Sequence, residues 1–227
     1  MCLLRAVALA WLFTEVPMAQ PMVGGSAGTA ATAVASATAL STSPSTAPSA
    51  ARVRQTRRVT SRYDETFRRY SKRFFGAAFD WRWFKAQGLA ESNLDSAATS
   101  YVGARGIMQL MPATYQAIRS RQSGFGTIDD PEWNIAAGIM HDRHLWRLWE
   151  RQGVVEDRFA FMFGSYNAGE GTIGRAVKMA QGMVDGMPRW GHIEGIAPTV
   201  PRWRYQETLG YVRKIEAYQA DLSARRR

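Results

Sequence analysis

The sequence predicts a mainly α-helical domain, and three observations support this fold class. Apolar residues recur at helical spacing after residue 60, as in the row Trp81, Phe84 and Gly88. Proline and aspartate stand where several of these apolar segments begin, as they do at helix N-termini. Alternating apolar and polar residues are scarce, so we expect at most a small β-hairpin, around residues 100–109.

The composition limits the classes of protein that the chain can belong to. Its 227 residues are enough for one domain with tails, and 46% of them are hydrophobic, which is enough for a substantial core. No apolar stretch is long enough for a clean membrane-spanning helix. The single cysteine, Cys2, excludes an intramolecular disulfide and a cysteine-based metal site. The formal charge of +10 favours an anionic partner, such as nucleic acid, a membrane surface or an acidic polymer.

Residues 1–23 are interpreted as a signal or targeting segment. Arg5 precedes a short apolar run from Ala6 to Phe13, and small residues follow it, although Glu15 interrupts the pattern. Several Ala-x-Ala triplets follow, so the pattern does not define a cleavage site. A disordered cytosolic tail is the alternative interpretation.

Two further segments precede the predicted core. Residues 24–51 are almost all Ala, Ser, Thr, Gly and Pro, which predicts a disordered linker because such a segment buries too little apolar surface. Residues 52–73 carry nine Arg or Lys, and aromatic residues at helical spacing predict a basic amphipathic helix there. Its charges are interpreted as a solvated face, and contact with an anionic envelope surface is the second interpretation. Residues 225–227 form a basic tail.

Three helices are predicted next. Asp80 is placed to cap a helix over residues 81–91, and Pro112 suits the first turn of a second helix. Asp129 and Glu132 have the spacing of a capping box at the start of a third. This third helix should bury one row of apolar side chains: Ile135, Ile139, Trp146 and Trp149.

The last part of the chain is predicted to contain three more helices and one loop. Residues 156–166 are apolar almost all round, which predicts the buried central helix. A short helix follows and ends near residue 181. Residues 183–203 are rich in Gly and Pro and are expected to form a long loop, and residues 205–223 form the last helix.

Glu91 is the residue on which the functional interpretation depends. It falls in the same helical row as Phe84 and Gly88, where carboxylates are unusual unless they are paired or functional. Burial there would keep its proton to higher pH, as a general acid near neutral pH requires. The alternative is a glutamate at a helix end that extends into water.

Three further clusters place polar groups where the pattern predicts burial. Together with Glu91 they suggest a sugar-binding cleft, because sugars need many hydrogen bonds from side chains together with flat aromatic faces. The clusters are Gln109; Ser165, Tyr166 and Asn167; and Glu207, Thr208 and Tyr211.

Four segments of the chain, in order, resemble the motifs of the lytic transglycosylases with the goose-type lysozyme fold: AESNLDSAAT, GARGIMQLMP, GSYNAGEGT and YQETLGYVRKI. The stretch 79–100 is similar to the catalytic domain of the membrane-bound F type, whose large solute-binding domain is not found in this sequence. The resemblance covers residues 60–223, and implies a catalytic domain over 52–224. Ser165 stands where Ala is common in the family, and Ile107 where Leu is common.

The resemblance implies a role for each matching residue. Glu91 would be the sole catalytic acid and base, and Ser92 would orient it or the N-acetyl group of the substrate. The implied sugar-binding residues are Gln109, Tyr166 and Asn167, while Tyr211 would steady Glu91. The substrate would be peptidoglycan, cut between N-acetylmuramic acid (MurNAc) and N-acetylglucosamine (GlcNAc), in the periplasm or outside the cell. No cofactor and no metal are implied, and a monomer is favoured.

One carboxylate is sufficient if the substrate's N-acetyl group assists. The product is a 1,6-anhydro sugar if Glu91 then acts as a base on the C6 hydroxyl, which closes onto C1. Asp95 is expected in a solvated turn. A lysozyme-like hydrolase and a non-catalytic wall-binding or secretion-associated protein are the alternatives. No nucleic-acid-binding motif is found, and His141 and His144 are interpreted as surface residues rather than metal ligands.

Overall fold

The structure is a computed structural model that describes residues 61–224. Within that range the chain forms α-helices joined by loops, the longest over residues 93–111, together with one 3₁₀ helix, Ala197–Thr199. The α-helices are α1 (Asp64–Phe75), α2 (Arg82–Ser92), α3 (Pro112–Arg119), α4 (Pro131–Arg151), α5 (Arg158–Ala168), α6 (Glu170–Gln181), α7 (Trp190–Ile196) and α8 (Tyr205–Ala224). The mainly α class is confirmed. The predicted hairpin is reduced to two isolated antiparallel bridges, Thr99–Arg105 and Arg105–Leu110.

Several predictions concern segments outside the described residues. These are the targeting segment 1–23, the linker 24–51, the beginning of the basic segment at 52–60, and the tail 225–227. Among residues 61–224, the helices are all too short or too polar to cross a membrane.

Helix α5 is the centre of the core, as its apolar composition predicts. All six residues from Ala160 to Ser165 are buried, and the helix packs against α4, α6 and α8. Gly164 allows Trp190 to approach closely, because a Cβ at residue 164 would lie 2.4 Å from the indole ring. Helix α2 packs along α8, and this contact positions the residues of the candidate site.

Helix α1 joins the core through its aromatic side. Phe67 and Tyr70 are buried, and the Tyr70 hydroxyl donates a hydrogen bond of 2.8 Å to Glu132 on α4. Lys85, which is buried in α2, pairs with Asp64 on α1. The side chains on the opposite side of α1 are exposed and basic: Arg68, Arg69, Lys72 and Arg73.

The capping box predicted for α4 is wrong by one residue. Asp130 caps the helix, since its Oδ1 accepts hydrogen bonds from the backbone N–H groups of Glu132 at 2.8 Å and Trp133 at 3.3 Å. Asp129 instead pairs with Arg105 at 2.6 Å. With Asp130 as the N-cap, Trp133 rather than Glu132 occupies the third helical position, and Glu132 accepts from Tyr70 instead.

The long loop predicted for residues 183–203 is also wrong in part, since it contains α7 and the 3₁₀ helix. Trp190 and Ile193 lie one helical turn apart and are both buried, whereas Gly191 and Gly195 are exposed. The backbone N–H of Trp190 donates to Asp157 at 3.1 Å. Burial of one apolar side outweighs the low helix propensity of the two glycines, because packing provides most of the stability of short helices in proteins.

Candidate active site

Glu91 lies in the last turn of α2, and the backbone ends the helix directly after Ser92. Asn93 and Leu94 both have left-handed backbone conformations, with φ of 56° and 63°. The N–H of Asn93 donates to the carbonyl of Leu89, and that of Leu94 to the carbonyl of Gly88, which satisfies carbonyls left unpaired at the helix end. Glu91 therefore lies at a helix end whose carbonyls of Gly88 and Leu89 are hydrogen-bonded.

Tyr211 of α8 holds the Glu91 carboxyl directly. Its hydroxyl donates to Glu91 Oε1 at 2.5 Å. Burial raises the pKa of Glu91 from 4.5 to about 7, although the Tyr211 hydrogen bond and the charge of Lys214 act in the opposite direction. Lys214 donates to the backbone carbonyl of Ala90 at 2.9 Å. A carboxyl with this pKa can both give and take a proton near neutral pH.

The loop 105–110 forms the wall beside Glu91, and Asn134 of α4 holds its backbone. The Oδ1 of Asn134 accepts from the N–H of Met108 at 2.8 Å, while its Nδ2 donates to the carbonyls of Arg105 and Ile128, each at 3.0 Å. Gly106 has a φ of 76°, and a Cβ there would lie 2.5 Å from Asn134 Nδ2. The turn therefore needs a glycine.

Two of the predicted site residues bind successive carbonyls of this loop. Ser92 Oγ donates to the carbonyl of Ile107 at 2.9 Å, and the Tyr166 hydroxyl donates to the carbonyl of Met108 at 2.8 Å. Gln109 has a φ of 44°, and its Nε2 donates to the carbonyls of Gly106 at 2.9 Å and Ala98 at 3.2 Å. The three side chains thus brace the loop beside Glu91.

Asn167 lies at the end of α5 and is linked to α8. Thr208 Oγ1 donates to Asn167 Oδ1 at 2.8 Å, and the indole N–H of Trp203 donates to Thr208 Oγ1 at 2.9 Å. The Asn167 side chain remains exposed. Thr208 and Tyr211 are buried on one side of α8, as the polar cluster predicts.

Two members of the predicted polar clusters have other roles. Glu207 is exposed and pairs with Arg204 at 2.9 Å, so the prediction that it shares the buried face of α8 is wrong. Ser165 is buried and accepts a hydrogen bond of 2.9 Å from the Trp149 indole, which makes it a satisfied core residue. Asp95 is exposed and accepts from the N–H of Ala97, as expected of a solvated turn.

Sequence reasoning missed three residues of α4 that lie beside the site. Asn134 is one. His141 is half-buried, with its ring 5.2 Å from that of Tyr166, and burial lowers its pKa to about 4. Asp142 is fully buried. The surface interpretation is therefore wrong for His141, although His144 is exposed. The available signal was the spacing, because Asn134, Gly138 and Asp142 lie one helical turn apart.

Comparison with known proteins assigns this site to a family. Residues 77–184 match the family described as the Transglycosylase SLT domain. This part of the chain is an SLT domain.

Named relatives of the SLT domain agree with this assignment. The chain is 33% identical to the membrane-bound lytic murein transglycosylase F of Desulfosudis oleivorans, over 61% of this chain and 30% of that protein. It is 29% identical to the corresponding protein of Maricaulis maris, over 74% of this chain and 39% of that protein. The chain thus spans well under half the length of these curated relatives.

A solved structure supports the fold of the SLT domain. The crystal structure of the 70 kDa soluble lytic transglycosylase SLT70 from Escherichia coli matches with a TM-score of 0.53 and 24% identity. The match covers 75% of this chain and 26% of that chain. Five of the six predicted site residues lie within the matched SLT segment, and Tyr211 is supplied by α8 beyond it.

The free energy of unfolding of the SLT domain should fall as the pH rises from about 4.5 to about 7. The folded state binds the Glu91 proton more tightly than the unfolded state across this window, so deprotonation destabilises the fold by up to about 3 kcal/mol. Thermal unfolding of the wild type and of the Glu91→Gln variant measures this effect. The difference between their free energies of unfolding reports the ionisation of Glu91 alone. If this difference in stability stayed constant across the pH window, the raised pKa of Glu91 would be contradicted.

Proposed function

We propose that this chain is a peptidoglycan lytic transglycosylase, which cleaves the β-1,4 bond between MurNAc and GlcNAc without water. The observation that carries the proposal is the Glu91 carboxyl, which is held by Tyr211 and protonated in part at neutral pH. Its position in an SLT domain and the names of the relatives support the same activity.

In the first step of the proposed reaction, Glu91 acts as an acid. It donates its proton to the glycosidic oxygen while the bond from this oxygen to C1 of MurNAc breaks. The carbonyl oxygen of the 2-N-acetyl group bonds to C1 from the opposite face and forms an oxazolinium ion. The substrate's own N-acetyl group therefore provides the nucleophile that a second carboxylate provides in ordinary retaining enzymes.

In the second step, Glu91 acts as a base. Its carboxylate takes the proton from the C6 hydroxyl, the C6 oxygen bonds to C1, and the bond from C1 to the N-acetyl oxygen breaks. Glu91 is again protonated, no water is consumed, and the product ends in 1,6-anhydro-MurNAc. Tyr211 stabilises the carboxylate between the two steps through its hydrogen bond to Oε1.

The remaining site residues bind or position the sugars in this proposal. Ser92 and Tyr166 fix the carbonyls of Ile107 and Met108, which keeps the loop beside Glu91 in one conformation. Gln109 and Asn167 contact the sugars on either side of the scissile bond.

The proposal extends to the whole chain. Residues 52–224 form the catalytic domain, preceded by a targeting segment and a linker, and the protein acts as a monomer in the periplasm or outside the cell. The exposed basic side of α1 provides a surface for an anionic component of the envelope.

Muropeptides released by this protein are expected to end in anhydro-MurNAc. The C6 hydroxyl is tethered beside C1, and intramolecular delivery reaches effective molarities of about 10⁵–10⁸ M in well-oriented cases. Mass spectrometry of digested peptidoglycan measures the result, since each anhydro product is lighter by one water than the product of a lysozyme digest run in parallel.

A spectrum dominated by reducing-end MurNAc would overturn this proposal and favour a lysozyme-like hydrolase. That alternative would need a group to place a water molecule. Among residues 61–224, Asp142 is an acid near Glu91, but it is fully buried and has no surface with which to hold one. A non-catalytic wall-binding protein would release no muropeptides.

A further inference from the structure

A buried pair of polar side chains lies beneath the candidate site and takes no part in the reaction described above. Gln87 of α2 and Asp142 of α4 are both fully buried, and Gln87 Nε2 donates to Asp142 Oδ1 at 3.2 Å. Gln87 lies one helical turn before Glu91, on the same side of α2. The pair therefore connects α4 to the helical turn that carries the catalytic carboxyl.

The surroundings of the pair are unsuited to a charged carboxylate. Asp142 Oδ2 and Gln87 Oε1 are both buried and have no hydrogen-bond partner. If Asp142 were ionised, both atoms would be buried acceptors without donors, and a negative charge would also be buried. Such a charge is strongly unfavourable unless it is paired. A proton on Asp142 removes the buried charge.

Titratable groups from three neighbouring helices face Asp142, and of these the charge of Glu91 acts in the same direction as burial. Glu91 faces it from α2, while Tyr166 and Tyr211 face it from α5 and α8. Burial raises the pKa of Asp142 well above its usual range and the charge of Glu91 raises it further, against the opposing hydrogen bond from Gln87.

The charged groups next to Asp142 in sequence have other partners. The guanidinium of Arg143 lies over the ring of Phe75, with Cζ 5.2 Å from the ring centroid, and the ring of His141 contacts Tyr166. Burial lowers the pKa of His141 to about 4, so this histidine is neutral at neutral pH.

We propose that Asp142 is a positioning residue for the reaction, which works as a neutral carboxylic acid and holds the Glu91 turn of α2 through Gln87. The inference rests on the proposed function for its effect on turnover, but the protonation of Asp142 can be measured without any substrate. The candidate site thus contains two carboxyls with different tasks. Glu91 exchanges its proton during the reaction, and Asp142 keeps its proton throughout.

Two substitutions of Asp142 distinguish the effect of its hydrogen bond to Gln87 from the effect of its charge. Asp142→Leu keeps a similar shape but removes the hydrogen bond to Gln87, and should lower kcat roughly 10- to 100-fold with little change in KM, as expected for a misplaced catalytic group. Asp142→Asn keeps a neutral acceptor and a donor, so it should restore most of the turnover lost in the Leu variant, with the alkaline limb of the pH profile unchanged.

Infrared spectroscopy at about pH 8, where Glu91 is mostly ionised, tests the protonation state directly. The wild type should show a protonated carboxyl band that Asp142→Asn lacks. If Asp142→Leu does not fold, Gln87→Leu removes the same hydrogen bond from the other side and should give the same fall in kcat.

Three results would overturn the inference. They are wild-type kcat in the folded Leu variants, a pH profile of Asp142→Asn displaced to lower pH, and a wild-type spectrum without the carboxyl band. Failure of the proposed function is distinguishable, because the wild type would then release no muropeptides while the carboxyl band would still report on Asp142.

Discussion

Glu91→Gln is expected to abolish turnover of peptidoglycan and to leave the fold intact. The amide is nearly the same size as the carboxyl, but it can neither donate nor accept the catalytic proton. Removal of a placed acid costs roughly 10²–10⁴-fold for one step, and Glu91 acts in both steps of the proposed reaction. The variant should also be more stable than the wild type near pH 7, because the burial that raises the pKa of Glu91 to about 7 opposes its ionisation.

The measurement is the release of soluble muropeptides from purified peptidoglycan, with circular dichroism to verify the fold. Glu65→Gln is the matched control, because Glu65 is exposed in the first turn of α1 and the same chemical change there should leave turnover unchanged. Turnover by the folded Glu91→Gln variant at the wild-type rate would remove the central claim.

Asn134→Ala should be the most destabilising of the substitutions at the site, by about 3–5 kcal/mol, since each buried polar group left without a partner costs roughly 1–3 kcal/mol. The N–H of Met108 and the carbonyl of Ile128 lose their partner, while the carbonyl of Arg105 keeps only the hydrogen bond from the N–H of Leu110. Turnover should fall as well, because the same loop carries the carbonyls that Ser92 and Tyr166 bind.

Chemical denaturation of the variant measures this loss. Gln116→Ala, at an exposed position of α3, is the control and should change stability by less than about 0.5 kcal/mol. Asn134→Asp keeps the acceptor for Met108 but places a buried carboxylate against the carbonyls of Arg105 and Ile128, so it should destabilise the domain as well. A wild-type stability for Asn134→Ala would show that the loop does not depend on this side chain.

The helices of the fold could be predicted because their signals are local. The apolar residues of α5 and the proline at the start of α3 act within one or two helical turns. The local sequence is therefore sufficient to predict these helices. The cap of α4 was misassigned because both Asp129 and Asp130 are suitable N-cap residues in the local sequence. The ion pair of Asp129 with Arg105, which is distant in sequence, leaves Asp130 as the cap. Helix α7 was missed because its composition favours a loop, whereas its stability comes from burial of Trp190 and Ile193.

The candidate site also combines features that the local sequence predicts with features that depend on contacts between helices. The sequence by itself determined that an acid lies on the apolar side of a helix at Glu91, and the motifs around it indicated the other residues, whose roles stay predictions. The resemblance implied that Tyr211 steadies Glu91, and only the tertiary structure decided the length of their hydrogen bond and the places of Asn134 and Asp142 beside the site. The physical reason is that desolvation and hydrogen bonding depend on every element that packs around a group. Periodicity can place a residue on the inner side of its helix, but the helices packed against it determine its pKa and its partners.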